Sequence, residues 1–297
     1  SNNITKRINN IIDNPEALKS YNYKTAKNVN ENDILLITNQ ELLPAFADYI
    51  QFKESTGFYV DAVTTEDIYA TYSGVDNQEK IRNCIIDYYT NQGTSFVILG
   101  GDSDSNDPDG IIVPCRRFYI NAGGEIDDKM PSDLYYCGLD GNWNTDNDDR
   151  WGEPGEDDLF AEVGIGRLCV DNNTEIQNFT NKLQMYQNSP VVDDIKKALF
   201  LGEELNNSPQ TNGATYKEEI HNGSSNNGFT TVGLSPSFTL STLYDLNFIW
   251  SGSDLFNVFN NTGINLLNHL GHSNPTYNMK ISNSDVNTTN FTNDGIT

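Results

Sequence analysis

Short apolar runs alternate with stretches of helical periodicity from residue 33 onward. Residues 34–38 (ILLIT) form an unbroken apolar run of the kind buried in a parallel sheet. Leu42, Phe46, Tyr49, Ile50 and Phe52 give residues 41–56 a helical face, and Gly57 ends that helix before a second strand at 59–63. A helix through Ile81, Ile85, Ile86 and Tyr89 leads to a third strand at 95–102. The rhythm then breaks for a polar, Asp/Asn/Gly-rich insertion over 102–158, of a length that is usually functional or metal-bound. It resumes with a strand at 161–168 and a helix at 173–187. After Ser189-Pro190 a second set is predicted: strand 198–202, helix 213–221, strand 230–234, helix 252–260 and strand 264–270. Ahead of both sets, Ile4, Ile8, Ile11 and Ile12 mark a short amphipathic helix over 4–12. The pattern predicts an N-terminal extension (1–32), a first α/β subdomain (33–190) carrying the insertion, and a second (191–297). Such alternation implies right-handed crossovers and mostly parallel sheets with covered faces.

Composition narrows the class of function. No apolar run reaches the ~18 residues of a membrane helix. A net charge of −24 excludes nucleic acid as a partner, because a phosphate backbone would be repelled. The same charge fits either a solvated acidic surface or carboxylate clusters neutralised by Ca²⁺. The chain opens on Ser1 without a signal-peptide pattern, so its N-terminus reads as processed or engineered. Cys84, Cys115, Cys137 and Cys169 show no C-x-x-C spacing and no neighbouring His, which argues against zinc. Cys84 and Cys169 read as small buried hydrophobes.

Three constellations carry chemistry. The last strand runs into Gly271-His272-Ser273, which presents an imidazole at a carboxyl strand end with backbone N–H groups just after it. A cysteine protease needs that arrangement, to deprotonate a thiol and to bind an oxyanion. The plainer reading is a His making a structural hydrogen bond. Of the other two histidines, His221 lies at a polar helix end, and His269 is a satisfied core residue if it points inward along the strand. The second constellation spaces Asn142, Asn144, Asp146 and Asp148 at alternate positions and closes with Glu153, approximating a 12-residue calcium loop. Asn147 replaces the usual sixth-position Gly, so this is not a true EF-hand; Trp143 and Trp151 argue for an ordered loop. A weaker candidate lies over 102–110. The third is Gly202-Glu203-Glu204, where a carboxylate at a strand end could orient His272 or could simply be solvated.

With these residues in place, the chain resembles the gingipain-type cysteine peptidases over nearly all of residues 33–297. The resemblance rests on Leu36-Ile37-Thr38 with Leu43-Pro44, Gly57-Phe58-Tyr59-Val60, and the run Thr64-Thr65-Glu66-Asp67-Ile68-Tyr69. It continues through residues 96–102, 132–136 and 162–168 and closes on Asn268-His269-Leu270-Gly271-His272. It implies a caspase-like α/β/α sandwich with two side-by-side subdomains, secretion, calcium-stabilised loops, protein or peptide substrates and a Cys/His dyad. His272 matches the family's histidine and Glu203 the acid paired with it, Glu204 being a neighbouring alternative. Ser273 stands where the family usually has Gly and matches an oxyanion donor. Residues 213–217 offer no acid where Arg-specific members hold the substrate, so basic specificity is not implied. No Cys lies between His272 and Thr297. The resemblance therefore implies a nucleophile beyond Thr297, on a second chain released by cleavage within 283–297. The same fold also admits a sortase-like transpeptidase, or a calcium-stabilised binding domain without catalysis.

Overall fold

Ile34–Thr38 is buried at every position and forms the first strand, β1. The structure, a computed structural model, describes residues 32–104, 110–122, 125–228 and 230–292. The helix expected over 4–12 therefore lies outside the described residues. The chain divides into two units, Ser1–Thr180 and Asn181–Thr297.

In the first unit a 3₁₀ turn, Leu43–Phe46, leads into α1 (Ala47–Ser55), followed by β2 (Val60–Thr64) and α2 (Thr65–Thr71). Then come α3 (Asn77–Asp87), capped by Asp76 accepting from the Glu79 N–H at 2.9 Å, and β3 (Phe96–Gly100). The sheet is parallel in the order β2-β1-β3 and is closed by a later strand, Gly164–Leu168. The insertion holds an antiparallel hairpin that the sequence pattern does not announce: β4 (Arg116–Ala122) and β5 (Glu125–Ser132). Its strands read RRFYINA and EIDDKMPS, with charge where a core strand has apolar residues. The closing strand, Gly164–Leu168, is thus β6, and it is followed by α4 (Asn173–Asn188).

Three arginines fasten the insertion in place. Arg167 binds Asp133 through two nitrogens, at 2.7 and 2.8 Å, and also reaches the carbonyls of Gly101 and Val113. Arg82 donates to the Gly138 and Gly141 carbonyls at 2.7 and 2.9 Å. Arg116 forks onto Asp76 and lies 3.6 Å from the centre of the Trp151 ring. Trp143, buried, stacks on Phe118 at 4.7 Å. The loop is therefore ordered by guanidinium forks and ring stacking.

The second unit is built on β7 (Lys197–Gly202), whose Ala198, Leu199, Phe200 and Leu201 are all buried. Each large side chain so buried contributes roughly 1.5–3 kcal/mol. A short hairpin, β8 (Glu204–Asn207) with β9 (Gln210–Asn212), precedes α5 (Gly213–Asn222). Next come β10 (Thr239–Tyr244), α6 (Gly252–Thr262) and β11 (Leu266–Leu270), which give a parallel sheet in the order β10-β7-β11. Alternate β7 residues face opposite ways. Leu199 and Leu201 pack with Leu243, Trp250 and Leu255 of α6, while Ala198 and Phe200 pack with Ala214 of α5 and Tyr244.

The strand expected over 230–234 does not form. That segment folds back on the end of α5: the Leu234 N–H donates to the Ile220 and His221 carbonyls, and the Thr231 N–H to the Ser224 carbonyl. It satisfies orphan helix-end carbonyls in place of a sheet ladder. Thr239–Tyr244 pairs with β7 instead. The segment expected to be cleaved, 283–297, is pinned as far as it is described, with Phe291 edge-on to Phe256 and Phe259 and the Thr292 N–H on Asn260 Oδ1. Residues 293–297 lie outside the described residues. Among the described residues no helix is long and apolar enough to cross a membrane.

Candidate active site

The carboxyl ends of β7 and β11 are joined. Leu270 pairs with Gly202, and the Glu203 N–H donates to the Leu270 carbonyl at 2.9 Å. Glu203 is 5% exposed, so its carboxylate is costly unless hydrogen-bonded. Oε1 lies 2.9 Å from His269 Nε2. Oε2 accepts the His272 backbone N–H at 3.3 Å and lies 3.8 Å from His272 Nδ1. The two imidazoles differ sharply, with the His269 side chain 12% exposed and that of His272 66% exposed.

Sequence explains the closeness. A Cβ on Gly271 would lie 2.3 Å from Glu203 Cδ and 2.4 Å from His269 Nε2, so only glycine fits between them. A Cβ on Gly213, at the start of α5, would lie 2.5 Å from the Leu270 carbonyl oxygen. The neighbouring Glu204 is drawn off through its N–H to Asp245 Oδ2, and Asp245 Oδ1 is held by Lys280 at 2.6 Å. Of the two acids, Glu203 is the one bonded to the histidines. The Ser273 N–H has no partner among the described residues, and Ser273 is exposed. His221, at the end of α5, sits 3.3 Å from Glu218. Lys217 is buried and donates to Asn268 Oδ1, and burial lowers its pKa. The role of His269 as a carboxylate partner was missed because a ring–carboxylate contact between residues 66 apart leaves no mark in local spacing.

The insertion brings together three of the five calcium candidates. Asp146, Asp148 and Glu153 each offer a carboxylate oxygen, all within 4.8 Å of one another. Asn144 is buried and its Oδ1 lacks a hydrogen-bond partner, while its Nδ2 donates to the Asp148 carbonyl. Asn142 Oδ1 accepts the Asn144 N–H at 3.1 Å. Asn147 has φ +61°, the left-handed conformation that the sixth position of a calcium loop requires and that Asn tolerates. The donor set is all oxygen, which suits a hard cation. A second carboxylate group, Asp140, Asp158 and Glu162, also converges and was not read from the sequence. The weaker 102–110 candidate falls largely outside the described residues.

Three of the four thiols are shifted away from the thiolate, and the fourth is buried. Burial pushes Cys84 up to about 12, and burial also raises Cys137. Cys115 is buried. Cys169, expected to be buried, is exposed, because β6 stops at Leu168 and the next residue emerges at the sheet rim. Partial desolvation there, with Asp102, Asp133 and Asp171 nearby, raises its pKa despite Arg167. A nucleophilic thiol needs the opposite shift.

The family model for peptidase family C25 matches residues 27–296. No curated protein matches the chain in sequence. Among solved structures, the complex of the Porphyromonas gingivalis RgpB pro- and mature domains is similar at 18% identity and a TM-score of 0.53, covering 84% of this chain and 50% of that one. The Arg-specific cysteine proteinase gingipain R (RGPB) is similar at 18% identity and a TM-score of 0.55, covering 89% of this chain and 52% of that one. At this identity the likeness is one of fold, the caspase-like α/β class with mostly parallel sheets. The chain spans about half the length of either structure.

Proposed function

The chain belongs to peptidase family C25, the gingipain family, and on that premise we propose that it is the histidine-bearing part of a secreted cysteine endopeptidase. The observation that carries the reading is the exposed His272 imidazole at the joined ends of β7 and β11, backed by the buried Glu203 carboxylate. In this reading His272 takes the thiol proton, and the thiolate attacks the scissile carbonyl. The Ser273 N–H binds the resulting oxyanion. His272 then returns the proton to the leaving amine, and water hydrolyses the acyl-enzyme. Glu203 faces the Nδ1 side of the ring and favours the imidazolium formed in the first step. The 3.8 Å gap to Nδ1 belongs to the free protein, in which such contacts are often long.

The nucleophile comes from sequence beyond Thr297, on a chain separated by processing. Two features support this: burial raises the pKa of Cys84, Cys137 and Cys169 while Cys115 is buried, and β11 is an edge strand, bonded only to β7 among the described residues. Proteins or peptides are the substrates. Arginine preference does not carry over, because the first turn of α5 holds no acid. Ca²⁺ bound by Asn144, Asp146, Asp148 and Glu153, with Asn142 beside them, supplies structural charge neutralisation. The test is peptide hydrolysis by the full-length protein. His272→Ala is expected to lower kcat by about 10⁴–10⁶-fold; undiminished turnover contradicts the reading.

A further inference from the structure

We propose that His269 is a positioning residue, which acts through Glu203 to hold the His272 imidazole in its working orientation; this rests on the peptidase reading above. The Glu203 carboxylate is bracketed by two histidines of the same segment, three residues apart. Its two oxygens are held unequally. Oε1 has one short contact, to His269 Nε2 at 2.9 Å, whereas Oε2 has the His272 N–H at 3.3 Å and the His272 ring at 3.8 Å. A carboxylate only accepts, so His269 Nε2 carries the donated hydrogen.

The firmness of the two ends differs in the same sense. His269 lies inside β11, in register with Leu201 of β7, and its ring is mostly buried. His272 lies past the strand end and is mostly exposed. Glu203 is thus anchored to the buried imidazole on one side and presented to the exposed one on the other. Gly271 completes the arrangement, since any Cβ there would strike both Glu203 and His269 Nε2. Other charges nearby are already occupied: Lys217 with Asn268, and Asp245 with Lys280 and the Glu204 N–H. Without His269, Oε1 is left buried and bare, and rotation of the carboxylate to recover a donor carries Oε2 away from His272.

A tie between two strands would give the same contact but different kinetics. The test uses steady-state peptide hydrolysis by the full-length enzyme, with melting temperatures, for His269→Leu and His269→Gln and with His272→Ala as the control. His269→Leu should lower kcat about 10–100-fold with KM within about twofold, as expected when an orienting contact is lost without loss of substrate binding. His269→Gln, which keeps an N–H donor, should return kcat to within about threefold of the parent. If the Leu variant does not fold, His269→Asn, polar but too short to reach Oε1, replaces it with the same expected loss. A Leu or Asn variant that melts earlier but keeps the parental kcat overturns the proposal, as does a Gln variant no better than Leu. Equal turnover by the parent and His272→Ala rejects the peptidase reading, and this proposal with it.

Discussion

Two carboxylate sites in this chain are built on opposite principles. At the ends of β7 and β11 a single buried acid, Glu203, meets donors supplied by the protein: one imidazole, one backbone N–H and a second ring nearby. In the loop over 142–153, Asp146, Asp148 and Glu153 turn oxygens toward one another, and among the described residues the cationic side chain paired there is Arg150, 3.6 Å from Glu153. The buried Asn144 Oδ1 in the same loop lacks a donor. A carboxylate whose partners are all protein groups has its orientation fixed by the fold. Carboxylates turned toward one another, with backbone N–H groups of Asp148 and Arg150 as donors to two of them, leave a place where a cation from outside would add charge neutralisation.

The comparison breaks first on calcium. If the loop is completed by Ca²⁺, saturating the ion at about a hundredfold over its Kd adds about 2.7 kcal/mol of stability. Excess chelator should then lower the melting temperature of the protein, and Glu153→Gln should lose most of that response. A melting curve unmoved by chelator removes the ion and leaves the loop as an acidic surface. A smaller effect comes from Asp76, an acid whose cation is built in. Burial works against its charge, but the Arg116 fork prevails and holds its pKa below the ordinary carboxylate value. A depressed folded pKa contributes stability that is present above about pH 4 and lost as the pH falls further. Asp76→Ala strands a buried guanidinium. A fully buried pair would cost about 3–5 kcal/mol, but the Asp76 side chain is 35% exposed, so a cost of about 2 kcal/mol is expected. The loss should shrink progressively as the pH falls below about 4; a loss independent of pH would show that the ion pair is not its source.

The legible parts of the molecule were those whose sequence repeats its structural period. Unbroken apolar runs marked β1, β3 and β7, because strands covered on both faces need no polar alternation. The placement of Gly271-His272 just past a strand was legible because the apolar run of β11 stops at Leu270. The strand Thr239–Tyr244 was missed: its TLSTLY is half polar, whereas the TTVGL of residues 230–234 looks more like a strand but spends its hydrogen bonds on the end of α5. The β4–β5 hairpin was missed because it is held by Arg116, Arg167 and ring stacking, which follow no period. The alternate spacing of Asp146, Asp148 and Glu153 made their convergence readable, and Asn147 between them takes a positive φ.

The central claim, that His272 activates a cysteine lying outside residues 1–297, is tested most directly by the rate of thiol alkylation. Full-length protein is treated briefly with iodoacetamide, and the modified cysteine is located by peptide mass spectrometry, in the parent and in His272→Ala. The account predicts one fast-reacting cysteine beyond Thr297, slowed at least about tenfold without the imidazole. Fastest labelling at Cys84, Cys115, Cys137 or Cys169, or a rate indifferent to His272, would contradict it.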